Sequence, residues 1–452
     1  MVAAVDVADF DFALPDELIA QEPSPERGGS RLLVLDRATG AIEHAMFKDI
    51  VHVLKAGDLL VVNDTRVFPA RLIGHRVPSG GVVECLLVRK LPTPNGFASP
   101  TPKGQLPTPN GFASPTPKEE LPTPNGVDRP TPKEELPTPN GFASPTPNRE
   151  LPTSNDFASP THTLVDPAGA PLGVGRAKRL GVGSFEEKLG VGSFEEWEAL
   201  MHPGQKLKPG ALVVFEHEGV RIQGEVLERR FFGRRTVRLT SDDRPLAEAI
   251  NRIGHIPLPP YIRRDDRPDD RERYQTVYAQ ERGSIAAPTA GLHFTESLLR
   301  ALTDRGVELG SVTLHVGYGT FKPVRVARVE EHTVDPEPFT VGVSTADALT
   351  RARREGRRVI AVGTTTVRAL ESLETAADGQ VLPQTGNATL FIHPGYQFRI
   401  VQGLVTNFHL PKSSLLMLVA AFAGREPVMH AYGEAVRERY RFYSYGDAMV
   451  IV

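Results

Sequence analysis

The stretch RRVIAVGTTTVRALES, residues 357–372, indicates how the chain folds. A short apolar run ends at Gly363, and a helical pattern begins almost at once. A strand that leads directly into a helix is the building unit of α/β folds. The free N–H groups and the dipole of such a helix start favour an anion, and Arg368 would add positive charge. The candidate anion ligands are Thr364, Thr365 and Thr366, although simple capping of the helix would use one of them.

Similar strand-to-helix patterns recur in the chain. Apolar runs typical of strands lie at 58–63, 308–317 and 403–410, and helical patterns lie at 295–306, 345–356 and 414–424. Thr295 is a reasonable N-cap for the first of these helices. The pattern predicts a larger, discontinuous α/β domain, residues 1–57 and 241–452.

The central part of the chain is predicted to be β-structure. Residues 70–90 and 211–230 each contain two strand-like runs joined by a turn, and 235–240 adds another run. These runs predict an inserted antiparallel β-barrel or sandwich domain, residues 58–240.

A low-complexity segment, residues 91–193, interrupts the β region. Its unit LPTPNGFASPTPKGQ recurs with small changes at Leu91, Leu106, Leu121, Leu136 and Leu151. Proline removes backbone donors, and each unit carries little apolar surface, so we expect a long disordered loop. The glycines that follow resemble a nucleotide-binding fingerprint, but they follow a proline-rich linker instead of a strand.

Composition narrows the class of protein. The net charge is −3, so any contact with nucleic acid depends on local arginine clusters, such as those at 229–238, 351–358 and 437–441. Cys85 is the only cysteine, which excludes an intramolecular disulfide. No spacing of histidine and carboxylate residues indicates a metal site, and no apolar run is long enough to span a membrane. We therefore expect a cytoplasmic protein without a metal or a membrane contact.

Two loops carry candidate chemistry. In GSIAAPTAGLHFTESLL, residues 283–299, an irregular loop precedes a helix, and His293 could act as acid, base or donor. In TLHVGYGTFKPV, residues 313–324, a strand ends near His315 and a glycine turn permits close backbone approach to a ligand. Ordinary structural roles are the alternative for both loops. The accompanying ligand candidates are Thr289, Gly291, Phe294, Gly317 and Tyr318.

A third loop, NFHLPKSSLLML, residues 407–418, places Asn407 and His409 between a strand and a helix. No nucleophile elbow and no Walker loop occurs in the chain. The residues alone therefore indicate an α/β enzyme with several ligand loops at strand-to-helix junctions.

Taken together, these blocks closely resemble the S-adenosylmethionine:tRNA ribosyltransferase-isomerase family of the queuosine pathway. The resemblance also includes GDLLVVNDTRVFPARL at 57–72 and AYGEAVRERYRFYSYGDAM at 431–449, and it covers almost everything outside 91–193. It implies an α/β domain with an inserted β-barrel. It also implies transfer of the ribosyl part of S-adenosylmethionine to 7-aminomethyl-7-deazaguanine at the tRNA wobble position, which gives epoxyqueuosine-tRNA, adenine and methionine.

The resemblance suggests roles for the candidate residues. A base must remove the acidic C5′ proton of the donor, and His293 is preferred over His315. Thr364 to Thr366 would hold the donor's carboxylate, Phe294 and Tyr318 its sulfonium, and His409 would protonate the departing adenine. The arginine clusters would bind the anticodon arm of the tRNA. Asp335 stands where the family pattern suggests a histidine. S-adenosylmethionine is expected as a co-substrate, with no bound prosthetic group.

Two other functions remain open. A methyltransferase would use the same donor but release S-adenosylhomocysteine, and the chain lacks a glycine-rich methyltransferase loop after a first strand. A non-catalytic RNA-binding protein would explain the arginines but not the polar loops.

Overall fold

A nine-stranded sheet and a closed six-stranded barrel lie in the part of the chain that the structure, a computed structural model, describes: residues 5–92, 194–321 and 324–452. The first ten strands are β1 (Arg31–Leu35), β2 (Ile42–Met46), β3 (Leu59–Asn63), β4 (Thr65–Val67), β5 (Arg71–Val77), β6 (Val82–Lys90), β7 (Glu195–His202), β8 (Leu212–His217), β9 (Val220–Arg229) and β10 (Arg234–Ser241). The others are β11 (Glu281–Ser284), β12 (Glu308–Leu314), β13 (Glu337–Val341), β14 (Val359–Val362), β15 (Gln384–Ala388), β16 (Gly403–Asn407) and β17 (Ala448–Ile451). The α-helices are α1 (Ile50–Val53), α2 (Leu246–Ile253), α3 (Asp270–Arg273), α4 (Glu296–Asp304), α5 (Val343–Arg354), α6 (Thr364–Glu371), α7 (Ser414–Ala423) and α8 (Arg425–Arg437).

The large sheet has the strand order β15-β13-β12-β3-β14-β16-β17-β1-β2. Its centre is parallel, because β12, β3, β14 and β16 all run in one direction. β3, β14 and β16 are buried along their whole length, as expected for parallel strands covered on both faces. The apolar runs in the sequence therefore mark the middle of the sheet.

Alternate side chains of β3 enter two different cores. Leu59 and Val61 belong to the apolar cluster on one face of the sheet, and Leu60 and Val62 belong to the cluster on the other face. This alternation follows from the two-residue period of a strand. Each fully buried leucine or valine contributes about 1.5–3 kcal/mol to folding.

The junctions between strands and helices have the local chemistry that they need. Gly363, between β14 and α6, has φ +91°, a conformation that other residues adopt only with strain. The predicted N-cap of α4 is confirmed, since the Thr295 side chain accepts a hydrogen bond from the Leu298 amide. The chain can therefore turn sharply from a buried strand into a helix.

The barrel closes in the order β10-β7-β6-β5-β8-β9. Along β6 the inward residues Val83, Cys85 and Leu87 are buried. Helix α2 packs against the same apolar cluster through residues such as Leu246 and Ile250. Burial raises the pKa of the Cys85 thiol, which leaves it protonated and explains its presence as a small apolar core residue.

The predicted fold class, an α/β domain with an antiparallel barrel, is confirmed. The predicted domain division remains a proposal, and one boundary of it needs moving. Residue 58 was expected to begin the barrel domain, but β3 pairs with β12 and β14 in the large sheet. The strand predicted at 58–63 thus belongs to the α/β domain, and we propose that the inserted domain begins near Arg71.

The proline-rich repeat lies almost entirely outside the described residues, so its expected disorder stays a prediction. What the structure describes is its two anchor points. β6 and β7 are antiparallel neighbours, with Lys90 opposite Trp197, and the Leu91 amide donates to the Glu196 carbonyl. The repeat therefore connects two strands that already lie side by side. Within the described ranges, no helix has the length and apolar character needed to cross a membrane.

Candidate active site

The candidate site lies at the carboxyl ends of the central parallel strands, where ligands commonly bind in open α/β sheets. Three of the predicted loops follow β12, β14 and β16 at this edge. Asn63, the last residue of β3, joins two of these strand ends, because its side chain donates to the Leu314 carbonyl (2.9 Å) and accepts from the Leu314 amide (3.0 Å). The loops that the sequence predicted at strand-to-helix junctions therefore lie at this edge of the sheet.

A cleft of about 750 Å³ separates part of this edge from the barrel. Its volume lies within the range of roughly 300–1,000 Å³ that is typical of small-molecule sites. One wall comes from the barrel and includes Phe68, Trp197 and Arg234. The opposite wall comes from the loops of the large sheet and includes the predicted site residues His315, Gly317 and Tyr318.

His315 is the predicted histidine that faces this cleft. Its imidazole is half-buried, and Nδ1 lies 2.8 Å from the Thr65 hydroxyl. No hydrogen bond to Nε2 is present in the described part of the chain. Burial lowers the pKa of His315, and the nearby Glu281 and Asp64 only partly oppose this effect. The ring is therefore neutral at pH 7. The Thr65 hydroxyl donates to the Glu281 carbonyl (3.4 Å), so it accepts from His315 Nδ1–H, and Nε2 carries the lone pair that can accept a proton.

Gly283 leaves room for the His315 ring. A Cβ atom at this position would lie 2.6 Å from Cε1 and 2.8 Å from both ring nitrogens, closer than side-chain contacts permit. Gly283 belongs to β11, which pairs with β4 directly beside Thr65. The ring is thus held between two strands of the short β4–β11 sheet and the end of β12.

Ion pairs connect the two walls of the cleft. Arg234 of the barrel contacts Glu198 (2.7 Å) and also Asp335 of the sheet domain (2.9 Å). Burial opposes ionisation of Glu198, but Arg234 and Arg89 together hold the pKa of that carboxyl below its ordinary value. Asp335 therefore supplies a carboxylate bridge where the family pattern suggested a histidine.

His293, the preferred base in the sequence interpretation, is placed unfavourably for that role. It is only 6% exposed, and Phe47 covers its ring at 4.9 Å. Its Nδ1 lies 2.7 Å from the Ser30 hydroxyl and its Nε2 lies 3.0 Å from the Asn407 amide nitrogen. Both ring nitrogens are therefore occupied by protein groups.

The orientation of Asn407 fixes the tautomer of His293. The Asn407 oxygen accepts from the Thr289 hydroxyl (2.9 Å), and its nitrogen donates to the Tyr443 carbonyl (3.1 Å) and to His293 Nε2. His293 Nε2 must then accept, so Nδ1–H donates to Ser30. Burial, the leading cause, lowers the pKa of His293 to about 4, although Asp447 opposes the shift. Thr289 and Asn407 thus hold a neutral structural histidine, and the cavity beside it measures only about 30 Å³.

The threonine triplet lies at the start of α6 as predicted, but it is covered. All three side chains are buried, and Thr366 donates to the Val362 carbonyl (2.6 Å) at the end of β14. Gly363 lies under Ala290 of the 3-10 turn Thr289–His293. Its role as an anion site stays a prediction.

Arg368 is also not available to an anion in the way the sequence suggested. It is 8% exposed and forms an ion pair with buried Glu337, whose other oxygen accepts from the Gly317 amide (2.9 Å). It also donates to the carbonyls of Leu390 and Ala388. Arg368 instead fixes the cleft wall through Glu337.

Three further residues that were predicted to bind a ligand lie in the protein interior. Phe294 is fully buried and packs edge-on against Phe47 at 4.9 Å, so it has no face open to a sulfonium. His409 is buried, with Nε2 2.8 Å from the Thr406 hydroxyl, and burial lowers its pKa to about 3. A Cβ at Gly291 would lie 2.1 Å from the Tyr278 hydroxyl, so this glycine is needed for packing.

Several residues of the cleft were missed at the sequence level. Thr65 orients His315, while Trp197 and Phe68 form the barrel wall together with Arg234, which the sequence indicated only as a member of the arginine cluster at 229–238. A sequence signal for Thr65 was present in NDTRVFPARL, residues 63–72, where polar residues directly follow an apolar, strand-like run. The barrel residues gave no such signal, because they meet the site only through tertiary packing. No group of histidine, cysteine and carboxylate side chains suited to a metal ion occurs within residues 5–92, 194–321 and 324–452.

Comparisons with known proteins show which family the chain resembles. A family model described as "Queuosine biosynthesis protein" matches residues 7–108 and 175–451. The S-adenosylmethionine:tRNA ribosyltransferase-isomerase of Heliobacterium modesticaldum is 42% identical over 449 residues, covering 99% of this chain and 100% of that protein. The protein of the same name from Carboxydothermus hydrogenoformans is 41% identical over 444 residues, covering 98% and 99%. A crystal structure of S-adenosylmethionine tRNA ribosyltransferase from Thermotoga maritima is 31% identical, covers 98% of this chain and 100% of that chain, and has a TM-score of 0.43.

Proposed function

The chain belongs to the family of queuosine biosynthesis proteins, and from this premise we propose that it is an S-adenosylmethionine:tRNA ribosyltransferase-isomerase. In this reaction the ribosyl part of S-adenosylmethionine moves to 7-aminomethyl-7-deazaguanine at the wobble position of tRNA. The products are epoxyqueuosine-tRNA, adenine and methionine. One observation supports placing this reaction in the cleft. The neutral imidazole of His315 faces the cleft with one nitrogen that no protein group occupies in the described residues.

We assign the role of general base to His315. The C5′ carbon of the donor is acidic because it adjoins the sulfonium, and a neutral imidazole can remove its proton. Thr65 fixes the Nδ1 side of the ring, so Nε2 is the nitrogen left to act. His293 offers no comparable nitrogen, since Ser30 and Asn407 take both. This assignment replaces the preference for His293.

The walls of the cleft suit a cationic donor. Tyr318 supplies an aromatic face, and the carboxylates of Asp335 and Glu337 lie in the same wall. Phe294 cannot share this task, because it is buried in the core. On the barrel side, Arg89 and Lys90 line the cleft and can meet the donor's carboxylate.

The second substrate, tRNA, is proposed to approach the same cleft with its anticodon arm. The net charge of −3 makes this contact depend on local arginines, and affinity should fall as salt rises. Because the proposed substrate is tRNA, we also propose that the protein acts in the cytoplasm.

The reaction can be tested by mass analysis of nucleosides. The full-length protein is incubated with S-adenosylmethionine and tRNA that carries 7-aminomethyl-7-deazaguanine. Epoxyqueuosine in the tRNA, with adenine and methionine released in equal amounts, is the expected result. S-adenosylhomocysteine with a methylated base would establish a methyltransferase instead, and tRNA binding without any turnover would indicate a non-catalytic RNA-binding protein.

The base is tested with His315→Ala. Loss of a positioned base should lower kcat by about 10²–10⁴-fold, while the melting temperature and the Kd for tRNA stay near those of the wild type. His217→Ala is a matched control, because that histidine is exposed on a barrel hairpin and does not line the cleft. A His315→Ala protein that turns over at the wild-type rate removes His315 from the mechanism.

A further inference from the structure

Two arginines lie side by side on the short β4–β11 sheet, and one of them, Arg282, lines the cleft. Arg66 of β4 and Arg282 of β11 are direct register partners in the short parallel sheet, and both side chains are exposed. Register partners on parallel strands project to the same face of a sheet. Like charges placed opposite each other are unfavourable, so the arrangement calls for an anion between or above them.

Few negative charges of the protein neutralise the positive charge of this arginine pair. In the described part of the chain, neither guanidinium forms an ion pair within 4 Å, and the hydrogen bond seen for Arg282 goes to the neutral side chain of Asn251 (2.5 Å). Burial and the neighbouring Arg66 lower the pKa of Arg282, and Glu195 offsets this only in part. The other arginines of the cleft are different, because Arg89 and Arg234 both contact Glu198.

Arg282 is the member of the pair that lines the cleft, and its guanidinium lies over the Phe68 ring at 5.3 Å. His315 lines the same cleft, and its ring adjoins Thr65 and Gly283, the chain neighbours of the two arginines. Successive side chains of a strand point to opposite faces, so the arginines extend on the face away from these contacts with the ring. An anion held by the two guanidinium groups would therefore lie at the rim of the cleft and not against His315.

From this placement we infer that Arg66 and Arg282 form a phosphate site for the backbone of the tRNA at the nucleotide whose base enters the cleft. The inference rests on the proposed function, since it assigns a place to the tRNA substrate. Two guanidinium groups offer parallel N–H donors that match a phosphodiester in charge and shape. The donor is a poorer occupant, because its carboxylate carries an ammonium group beside it that two arginines would repel. The phosphate contact positions the substrate, and the cleft reads the base.

The site is tested by equilibrium binding of fluorescein-labelled precursor tRNA to the full-length protein between 50 and 200 mM salt, a range over which the Debye length falls about twofold. Arg66→Gln and Arg282→Gln should each raise the Kd about tenfold and reduce the slope of log Kd against log salt by about 0.7–1, the value for one phosphate contact. Arg66→Lys should keep the slope and lose only part of the affinity, because it retains the charge but not the fork. Arg300→Gln, which removes an exposed arginine from α4 outside the arginine clusters and the cleft, is the control and should change neither quantity in this way.

Release of adenine is measured in parallel for every variant. In the glutamine variants, KM for tRNA should rise while kcat at saturation and KM for the donor stay within about twofold. Unchanged Kd and slope in both glutamine variants would overturn the inference, and so would a rise in the donor's KM with normal tRNA binding. A wild-type protein that binds tRNA and shows these slopes but releases no adenine would refute the proposed function and leave the phosphate site standing.

Discussion

Gly283→Ala gives a sharp test of the catalytic geometry, because the nearest atoms that the added methyl group would meet are those of the His315 ring. The added Cβ would lie 2.6 Å from His315 Cε1, whereas ordinary contacts begin near 3.4 Å. The ring must then move by about 0.8 Å or rotate, and its 2.8 Å contact with the Thr65 hydroxyl is lost or weakened. A misplacement of about 1 Å at a catalytic group can reduce the rate by about 10²-fold. We expect kcat for adenine release to fall by that order.

The fold should tolerate this substitution. Gly283 does not have a positive φ, so alanine can adopt its backbone conformation, and loss of chain entropy in the unfolded state favours alanine slightly. Gly342→Ala is the matched control, because a Cβ there meets nothing within 4 Å. Adenine release is measured at saturating donor and tRNA, with the melting temperature recorded for each protein. If Gly283→Ala melts normally and retains the wild-type kcat, the position of the His315 ring does not matter and the reasoning is refuted.

Three other predictions concern pH and the repeat. Because burial lowers the pKa of His315 and the neutral ring is the active form, kcat/KM should persist as pH falls from 7 and be lost only below about 6.5, the ordinary pKa of histidine; a midpoint at or above that pH contradicts this. Burial lowers the pKa of His293 to about 4 and that of His409 to about 3, so between pH 6.5 and 4 only the unfolded chain takes up protons at these two residues. As the pH is lowered through this window, the free energy of unfolding should therefore decrease by about 1.4 kcal/mol per pH unit for each histidine. Thermal melting measures this dependence, and a stability that does not change between pH 6.5 and 4 would contradict it. Replacing residues 93–193 by a two-residue Asn-Gly turn should preserve barrel folding and turnover, since Lys90 and Trp197 already face each other; a well-folded but inactive protein would show that the repeat takes part in function.

The sequence contained enough information to predict the central strands and the loops that follow them. Buried parallel strands are continuous apolar runs, and these runs at 58–63, 359–362 and 403–407 form the middle of the sheet. The barrel followed from alternation and turn residues in the same way. Both predictions depend on short-range periodicity, which a single sequence expresses directly.

The exposure of the predicted ligands could not be predicted in this way. Thr364 to Thr366 do begin a helix, but Ala290, distant in sequence, covers the preceding Gly363. His293 carries the right chemistry, yet Ser30 and Asn407 bind both of its nitrogens. Such partners come from other elements, and local pattern gives no information about them.

The cleft itself was hidden for a related reason. His315 becomes a site residue only because the barrel places Trp197 and Arg234 opposite it. The bridge from Arg234 to Asp335 joins strand β10 to the segment before β13, which lie far apart in the chain. A site made between an inserted domain and its host is assembled by packing, so its members share no sequence motif.

The most direct measurement is a crystal structure of the full-length protein with S-adenosylmethionine bound. The donor should lie in the cleft between the barrel and the sheet, with its C5′ carbon about 3–3.5 Å from His315 Nε2, the distance of a reactive approach. A donor lodged beside His293 or at the threonine triplet, with the cleft in front of His315 empty, would contradict the assignment of the active site.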